Sequence, residues 1–140
     1  MRILIAAIGL LFLQNVSHGS QGAATVGCDK EYPKVKADFQ KAFKATKYEE
    51  AYNNLESFAA NCDWIKDNRM YWIWSDLSLA AYKMKNAEKC LAAVLAAEEF
   101  QKTNGPEKYN GDKKLAAMMT PSPAALKALK HNKGLCQMPK

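Results

Sequence analysis

Apolar side chains recur at three- and four-residue intervals through most of this chain, a spacing that predicts helices rather than strands. Pro33 suits the first turn of a helix, where its missing N–H has no intrahelical partner. Val35, Phe39, Ala42 and Phe43 then share one face, so a first helix is expected from Pro33 to near Thr46. Tyr48 to Ala60 opens with Glu49 and Glu50, favourable at the positive end of a helix dipole. It then places Ala51, Tyr52, Leu55, Phe58 and Ala59 on one stripe, a second helix ending at about Asn61-Cys62. Asp63 to Asn68 is a polar connector that carries Trp64. From Arg69 to Lys83 the apolar residues Tyr71, Trp72, Trp74, Leu77, Leu79, Ala80 and Ala81 cover more than one face, as expected of a helix sandwiched between neighbours. A turn at Lys85-Asn86 leads into Ala87 to Phe100, where Leu91, Val94, Leu95 and several alanines favour a fourth helix.

The remainder is more broken. Thr103 to Asp112, with Asn104-Gly105-Pro106 and Asn110-Gly111, reads as a turn-rich loop. Lys113 to Met119 is a short helical segment stopped by Pro121. Ser122-Pro123 is then a start signal, serine as N-cap and proline at the first helical position. That last helix is expected to run to about Asn132 and to end on Gly134 as a left-handed cap. The fold class is therefore all-α.

Met1-Arg2, the apolar run Ile3 to Leu13 and the polar stretch Gln14 to Ser20 have the three-part layout of a secretory signal peptide. The apolar run is shorter than the roughly 20 residues that a membrane-spanning helix needs. Cleavage is expected after Gly19, with Ala24 a later alternative; a lipid anchor at Cys28, preceded by Val26-Gly27, is a competing reading that the distance from the apolar run disfavours. Residues 20–140 then make a single domain in the periplasm or outside the cell. It keeps the four cysteines Cys28, Cys62, Cys90 and Cys136. In an oxidising compartment an even count in a small chain reads as two disulfides.

Charge shifts this picture only in the last third. Residues 20–100 hold eleven Lys/Arg against twelve Asp/Glu, whereas residues 101–140 hold eight lysines against Glu107 and Asp112. Lysines without interleaved arginines or aromatics do not suit nucleic acid, where bidentate arginine and stacking platforms are usual. An acidic protein or an anionic envelope surface is the better match for Lys127, Lys130 and Lys133.

Little in the chain points to catalysis. After the leader His131 is the only histidine, too little for a zinc site with these dispersed cysteines. There is no C-x-x-C, no glycine-rich phosphate loop and no G-x-S-x-G, and no cofactor is expected. Asp76 is the one acid within an apolar run; it needs a partner such as Arg69 or Lys83 if buried, and a small carboxylate-dependent hydrolase centred on Asp76 is the enzymatic alternative. Trp72 and Trp74 lie about 200° apart around their helix, so both cannot face one neighbour. One of them is left as a candidate binding anchor, with Trp64 beside it in sequence.

Trp74, Leu77, Ser78, Ala81, Cys90, Val94 and Ala97 resemble the large and small positions of a tetratricopeptide repeat, in which small residues such as Ser78 and Ala81 let two helices approach closely. Met84-Lys85-Asn86-Ala87-Glu88-Lys89 is similar to the turn of that family with lysine in place of glycine. Lys47-Tyr48-Glu49-Glu50-Ala51 resembles the same turn earlier in the chain. Ala51 and Cys90 stand 39 residues apart, where the family repeats about every 34, and the excess falls around Trp64. The resemblance implies two stacked antiparallel helix pairs plus a C-terminal capping helix. In that layout the start of one helix lies beside the end of its partner, which pairs Cys28 with Cys62 and Cys90 with Cys136. Taken with the leader and the charge distribution, it gives the leading reading: a non-enzymatic, exported module, an adaptor or an inhibitor or immunity-type protein. That module binds a protein partner through the concave side of its stacked helices and the basic C-terminal third, with Trp72, Trp64, Lys127, Lys130 and Lys133 as the candidate residues. A two-pair stack leaves its ends uncovered, so dimerisation stays open.

Overall fold

The computed structural model describes residues 24–62, 67–109 and 111–138. Residues 1–19 and Trp64 lie outside the described residues. Among the described residues all regular structure is helical: α1 Ala24–Lys44, α2 Tyr48–Asn61, α3 Arg69–Lys83, α4 Ala87–Asn104, a single 3-10 turn at Pro106–Tyr109, α5 Lys113–Met119 and α6 Pro123–Cys136. α1 packs on α2 and α3 on α4, α2 joins the two pairs through α3, and α6 lies across both α3 and α4. None of these helices is long and apolar enough to cross a membrane.

The two pairs are closed by turns of the same geometry. Thr46 and Lys85 both adopt the left-handed backbone conformation, each at φ 61°. The next residue reaches back five positions in each case, Lys47 N–H to the Ala42 carbonyl at 3.0 Å and Asn86 N–H to the Ala81 carbonyl at 2.9 Å. This hydrogen bond satisfies a carbonyl left over at a helix end. The start of α4 is capped by the Asn86 side chain on Lys89 N–H at 3.0 Å, of α5 by Asp112 on Leu115 N–H at 3.0 Å, and of α6 by Ser122 on Ala125 N–H at 3.1 Å.

α3 is the central helix. Tyr71, Ile73, Ser78, Ala80 and Ala81 have no accessible surface, nor do Leu55 of α2 and Cys90 of α4. Ser78 and Ala81 are small side chains with no accessible surface on this helix, and α6 meets Ser78 through Asn132. α6 is docked by a buried polar cluster: the Asn132 amide donates to the Ser75 carbonyl and to Ser78 Oγ, each at 2.9 Å, and the Ser78 hydroxyl donates to the Ser75 carbonyl at 2.8 Å. Ala125 and Leu129 complete that seam against Tyr71 and Ala97. Two disulfides staple the helix ends, Cys28 to Cys62 with Cα atoms 6.0 Å apart and Cys90 to Cys136 at 5.5 Å. Both are the pairs that the antiparallel layout implies.

Three boundaries differ from those read in the sequence. α1 runs from Ala24, so Pro33 sits inside it rather than in its first turn. The N–H that Pro33 lacks would have bonded the Asp29 carbonyl, at a cost of about 3 kcal/mol in a helix interior. The preceding turns are held in place by other means: the Cys28 disulfide, an Asp29 to Arg69 ion pair at 2.7 Å, and Tyr32 stacked on Phe58 at 6.2 Å. The Pro33 ring faces solvent, where water can satisfy the freed carbonyl. Pro33→Ala is accordingly expected to raise stability by about 1–3 kcal/mol, the regained helix bond less the stiffness that proline lends the unfolded chain; urea denaturation checks it, and a loss of stability would show that the ring itself is needed.

α4 continues past Phe100 to Asn104, with the Thr103 hydroxyl bonded to the Glu99 carbonyl at 2.8 Å. It stops where a Cβ on Gly105 would meet the Gln101 carbonyl at 2.6 Å, so the expected loop from Thr103 is partly helix. α6 extends to Cys136 with Gly134 inside it, and no described glycine has positive φ. The Cys90–Cys136 bond and the burial of Asn132 and Cys136 hold that last turn helical, against the sequence signal for a glycine cap.

Candidate functional site on the exposed stripe of α3

Helical geometry decides what α3 shows to solvent. With successive residues about 100° apart, Ser75 and Tyr71 face α6, Ile73 and Leu77 face the pair below, and Asp76 faces α1. Trp72 lies on the remaining stripe, about 60° around the helix from Ser75 and about 40° from Asp76. It is 36% exposed. Trp74 points the other way, packed among Tyr71 and Phe100 with ring centroids 6.3 Å and 5.2 Å away respectively from Tyr71 and Phe100. Of the two tryptophans on α3, Trp72 is therefore the exposed one.

Trp72 is held by charged neighbours. Lys36 of α1 forms an ion pair with Asp76 and places its ammonium 5.7 Å from the centre of the Trp72 ring. A cation at that distance is attracted by the ring face. One turn earlier, Arg69 bonds Asp29 of α1 at 2.7 Å and Asp67 at 2.7 Å, with its guanidinium 5.8 Å from the Tyr32 ring. α1 and α3 are thus joined at this face by two ion pairs and two cation–ring contacts. Of these contacts, the one that reaches Trp72 is the Lys36 ammonium, itself paired with Asp76.

Asp76 takes its partner from α1, not from Arg69 or Lys83 as its position in the run suggested. The spacing of α3 shows which way Asp76 points; it does not show that Lys36, 40 residues earlier, stands opposite. Burial raises the Asp76 carboxyl above its ordinary value, and the hydrogen bond and charge of Lys36 pull it back only in part. The unfolded chain therefore releases this proton at lower pH than the folded one. Stability contributed by Asp76 is present when it is protonated and is lost as pH rises from about 4, the ordinary carboxylate range, through the raised folded value. Asp76→Asn removes that dependence: wild type is expected to lose stability relative to the variant between pH 4 and pH 7 in urea denaturation, and a relative gain would mean that the ion pair outweighs burial.

The lysines assigned to partner binding do not share one surface. Lys130 and Lys133 border a groove between α4 and α6, where Lys133 pairs with Glu98 at 2.7 Å. Lys127 is exposed about 120° around α6 from Lys133, a separation that the sequence spacing already contained. Trp64 is outside the described residues. Glu50 pairs with Lys47 at 3.1 Å and Glu99 reaches Lys102 at 4.0 Å, so these surface carboxylates are engaged along their own helices. Among the described residues no group of three or more His, Cys, Asp or Glu is placed to hold a metal ion. Comparison of the chain with family models, with curated proteins and with solved structures found no match in any of the three.

Proposed function

We propose that this chain is an exported, non-enzymatic protein-interaction module of tetratricopeptide-like layout, which binds a protein partner through the exposed stripe of α3. The observation that carries this reading is Trp72: large, 36% exposed and approached on its ring by the Lys36 ammonium that Asp76 pairs. An exposed tryptophan of this kind offers a large apolar contact area, the commonest kind of binding anchor. The pairing of Asp76 with Lys36 weighs against the hydrolase alternative, since the carboxylate that would act is already engaged. Two disulfides support an oxidising compartment, and the Met1 to Gly19 stretch supports export to the periplasm or beyond. The lysines of α6 would raise the rate of encounter with an acidic partner rather than anchor it.

Salt separates this from binding of a polyanion or an envelope surface by lysines. Immobilised oxidised protein is loaded with an envelope extract and washed in about 1 M salt, where the screening length falls to roughly 3 Å. A protein held through Trp72 is expected to stay bound. Retention only of material that the wash removes would favour the polyanion reading.

A further inference from the structure

The last turn of α6 is held differently from the rest of that helix. Up to Asn132 the helix is docked by buried contacts: Ala125 and Leu129 lie against Tyr71 and Ala97, and the Asn132 amide donates to the Ser75 carbonyl and to Ser78 Oγ. Beyond Asn132 the packing thins. A Cβ on Gly134 would meet nothing within 4 Å, Leu135 is half-buried and Met138 is 49% exposed. Leu135, Cys136 and Met138 line one side of a cavity of about 560 Å³, with Tyr82 at the end of α3 and Ala87 and Cys90 at the start of α4 on the other. The covalent tie across that cavity is the Cys90–Cys136 bond.

The local sequence favours another ending. Glycine most readily takes the left-handed conformation that closes a helix, yet Gly134 has no positive φ and sits inside α6. α1 and α3 do close that way, at Thr46 and Lys85, without glycine. At those ends the left-handed residue donates three positions back and the next residue five back: Thr46 N–H to Phe43 and Lys47 N–H to Ala42, Lys85 N–H to Tyr82 and Asn86 N–H to Ala81. The same turn at Gly134 would give its N–H to the His131 carbonyl and the Leu135 N–H to the Lys130 carbonyl. It would also carry Leu135 to Met138 off the helix axis, which the bond from Cys136 to Cys90 forbids.

We propose that Cys90–Cys136 is a redox latch. With the bond intact α6 runs to Cys136; once it is reduced, α6 ends at Gly134 in a left-handed turn, Leu135 to Met138 are released and the cavity beside Tyr82 opens. Asn132 keeps the rest of the helix docked. The reductant is a dithiol: its first thiolate attacks one sulfur of the bridge, forming a mixed disulfide and displacing the other cysteine as a thiolate. Its second sulfur then attacks the first, closing a cyclic disulfide and displacing the remaining cysteine. The dithiol gives up two electrons and two protons, and Cys90 and Cys136 end as thiols. The latch lies at the other end of α3 from Trp72 and does not depend on the partner-binding reading.

The full oxidised chain is compared by NMR with Cys90→Ser with Cys136→Ser, in which the Cys28–Cys62 bond stays intact. Cα chemical shifts of Pro123 to Lys133 are expected to stay helical, while Leu135 to Met138 lose their helical values and Gly134 takes left-handed ones. Titration of the unsubstituted chain with dithiothreitol gives the same comparison without substitution, the state of each bridge being read by alkylation and mass spectrometry. Gly134→Ala tests the turn itself. The open space around Gly134 admits the methyl in the oxidised chain, whereas the left-handed conformation disfavours it, so the ratio of released to helical ends in the reduced chain is expected to fall about fivefold to thirtyfold. Loss of helical shifts throughout α6, helical shifts kept as far as Cys136 after reduction, or a ratio that Gly134→Ala leaves unchanged would each overturn the latch.

Discussion

Replacing either cysteine pair by serine is expected to cost about 4 kcal/mol, and loss of both to unfold the domain at ordinary temperature. The bridges close chain separations of 34 and 46 residues. In the chain-entropy treatment, closing loops of that size removes about 12–14 cal/mol/K from the unfolded ensemble. Against a total stability of about 5–15 kcal/mol, the two bridges together account for the difference between folded and unfolded. The bridges do different work. Cys28–Cys62 secures the turns of α1 that precede Pro33, whereas Cys90–Cys136 secures the end of α6. Cys28→Ser with Cys62→Ser should therefore fray α1 first and loosen Arg69 from Asp29; the other pair of substitutions should expose amides of α6 first. Circular dichroism during titration with a reductant measures the first effect, and hydrogen exchange resolves the second. Retention of full helicity in the reduced protein would show that packing alone suffices.

Ser78→Leu is expected to destabilise by about 2–6 kcal/mol, the sum of two separable costs. Ser78 has no accessible surface and sits on α3 where Asn132 of α6 closes on it. A leucine there must push a helix away or adopt a strained rotamer, at roughly 1–3 kcal/mol. It also takes from the Asn132 amide the Ser78 acceptor at 2.9 Å, leaving the Ser75 carbonyl at 2.9 Å and the more distant Ser75 Oγ at 3.4 Å. Ser78→Ala isolates the second cost, at about 1–3 kcal/mol or less. Equal losses in the two variants would mean that there is room at the contact and that the small residue matters only for its hydroxyl.

The same contact shows how much of this fold is legible in its amino acids. Periodicity located α1 to α4 because each carries an apolar stripe, and the small residues at 78 and 81 are buried in α3. From the antiparallel layout both disulfides followed. The Lys85 turn was legible only by position, since a left-handed residue without glycine leaves no signal of its own, and Thr46 repeats that geometry 39 residues earlier. Pro33 and Gly134 misled because local preference was overridden by disulfides and tertiary packing near them. At the candidate site, the spacing of Trp72 and Trp74 required that they diverge and left open which one would be exposed. The cation against the Trp72 ring, Lys36, comes from α1, and no spacing within α3 reveals it. Nor does any pattern mark Tyr71 as different from other core aromatics: that its buried hydroxyl has no hydrogen-bond partner among the described residues is a property of what surrounds it in three dimensions.

The claim that Trp72 is the centre of an interaction face has one direct test. Oxidised wild-type protein and Trp72→Ala, shown to be equally folded by circular dichroism, are immobilised and exposed to the same envelope and secreted fractions, and retained proteins are identified by mass spectrometry. The account predicts a stoichiometric protein held by wild type and lost from the variant, with affinity falling by roughly 30- to 700-fold for an anchor worth about 2–4 kcal/mol. The same protein retained equally by both would contradict it, as would no protein retained by either.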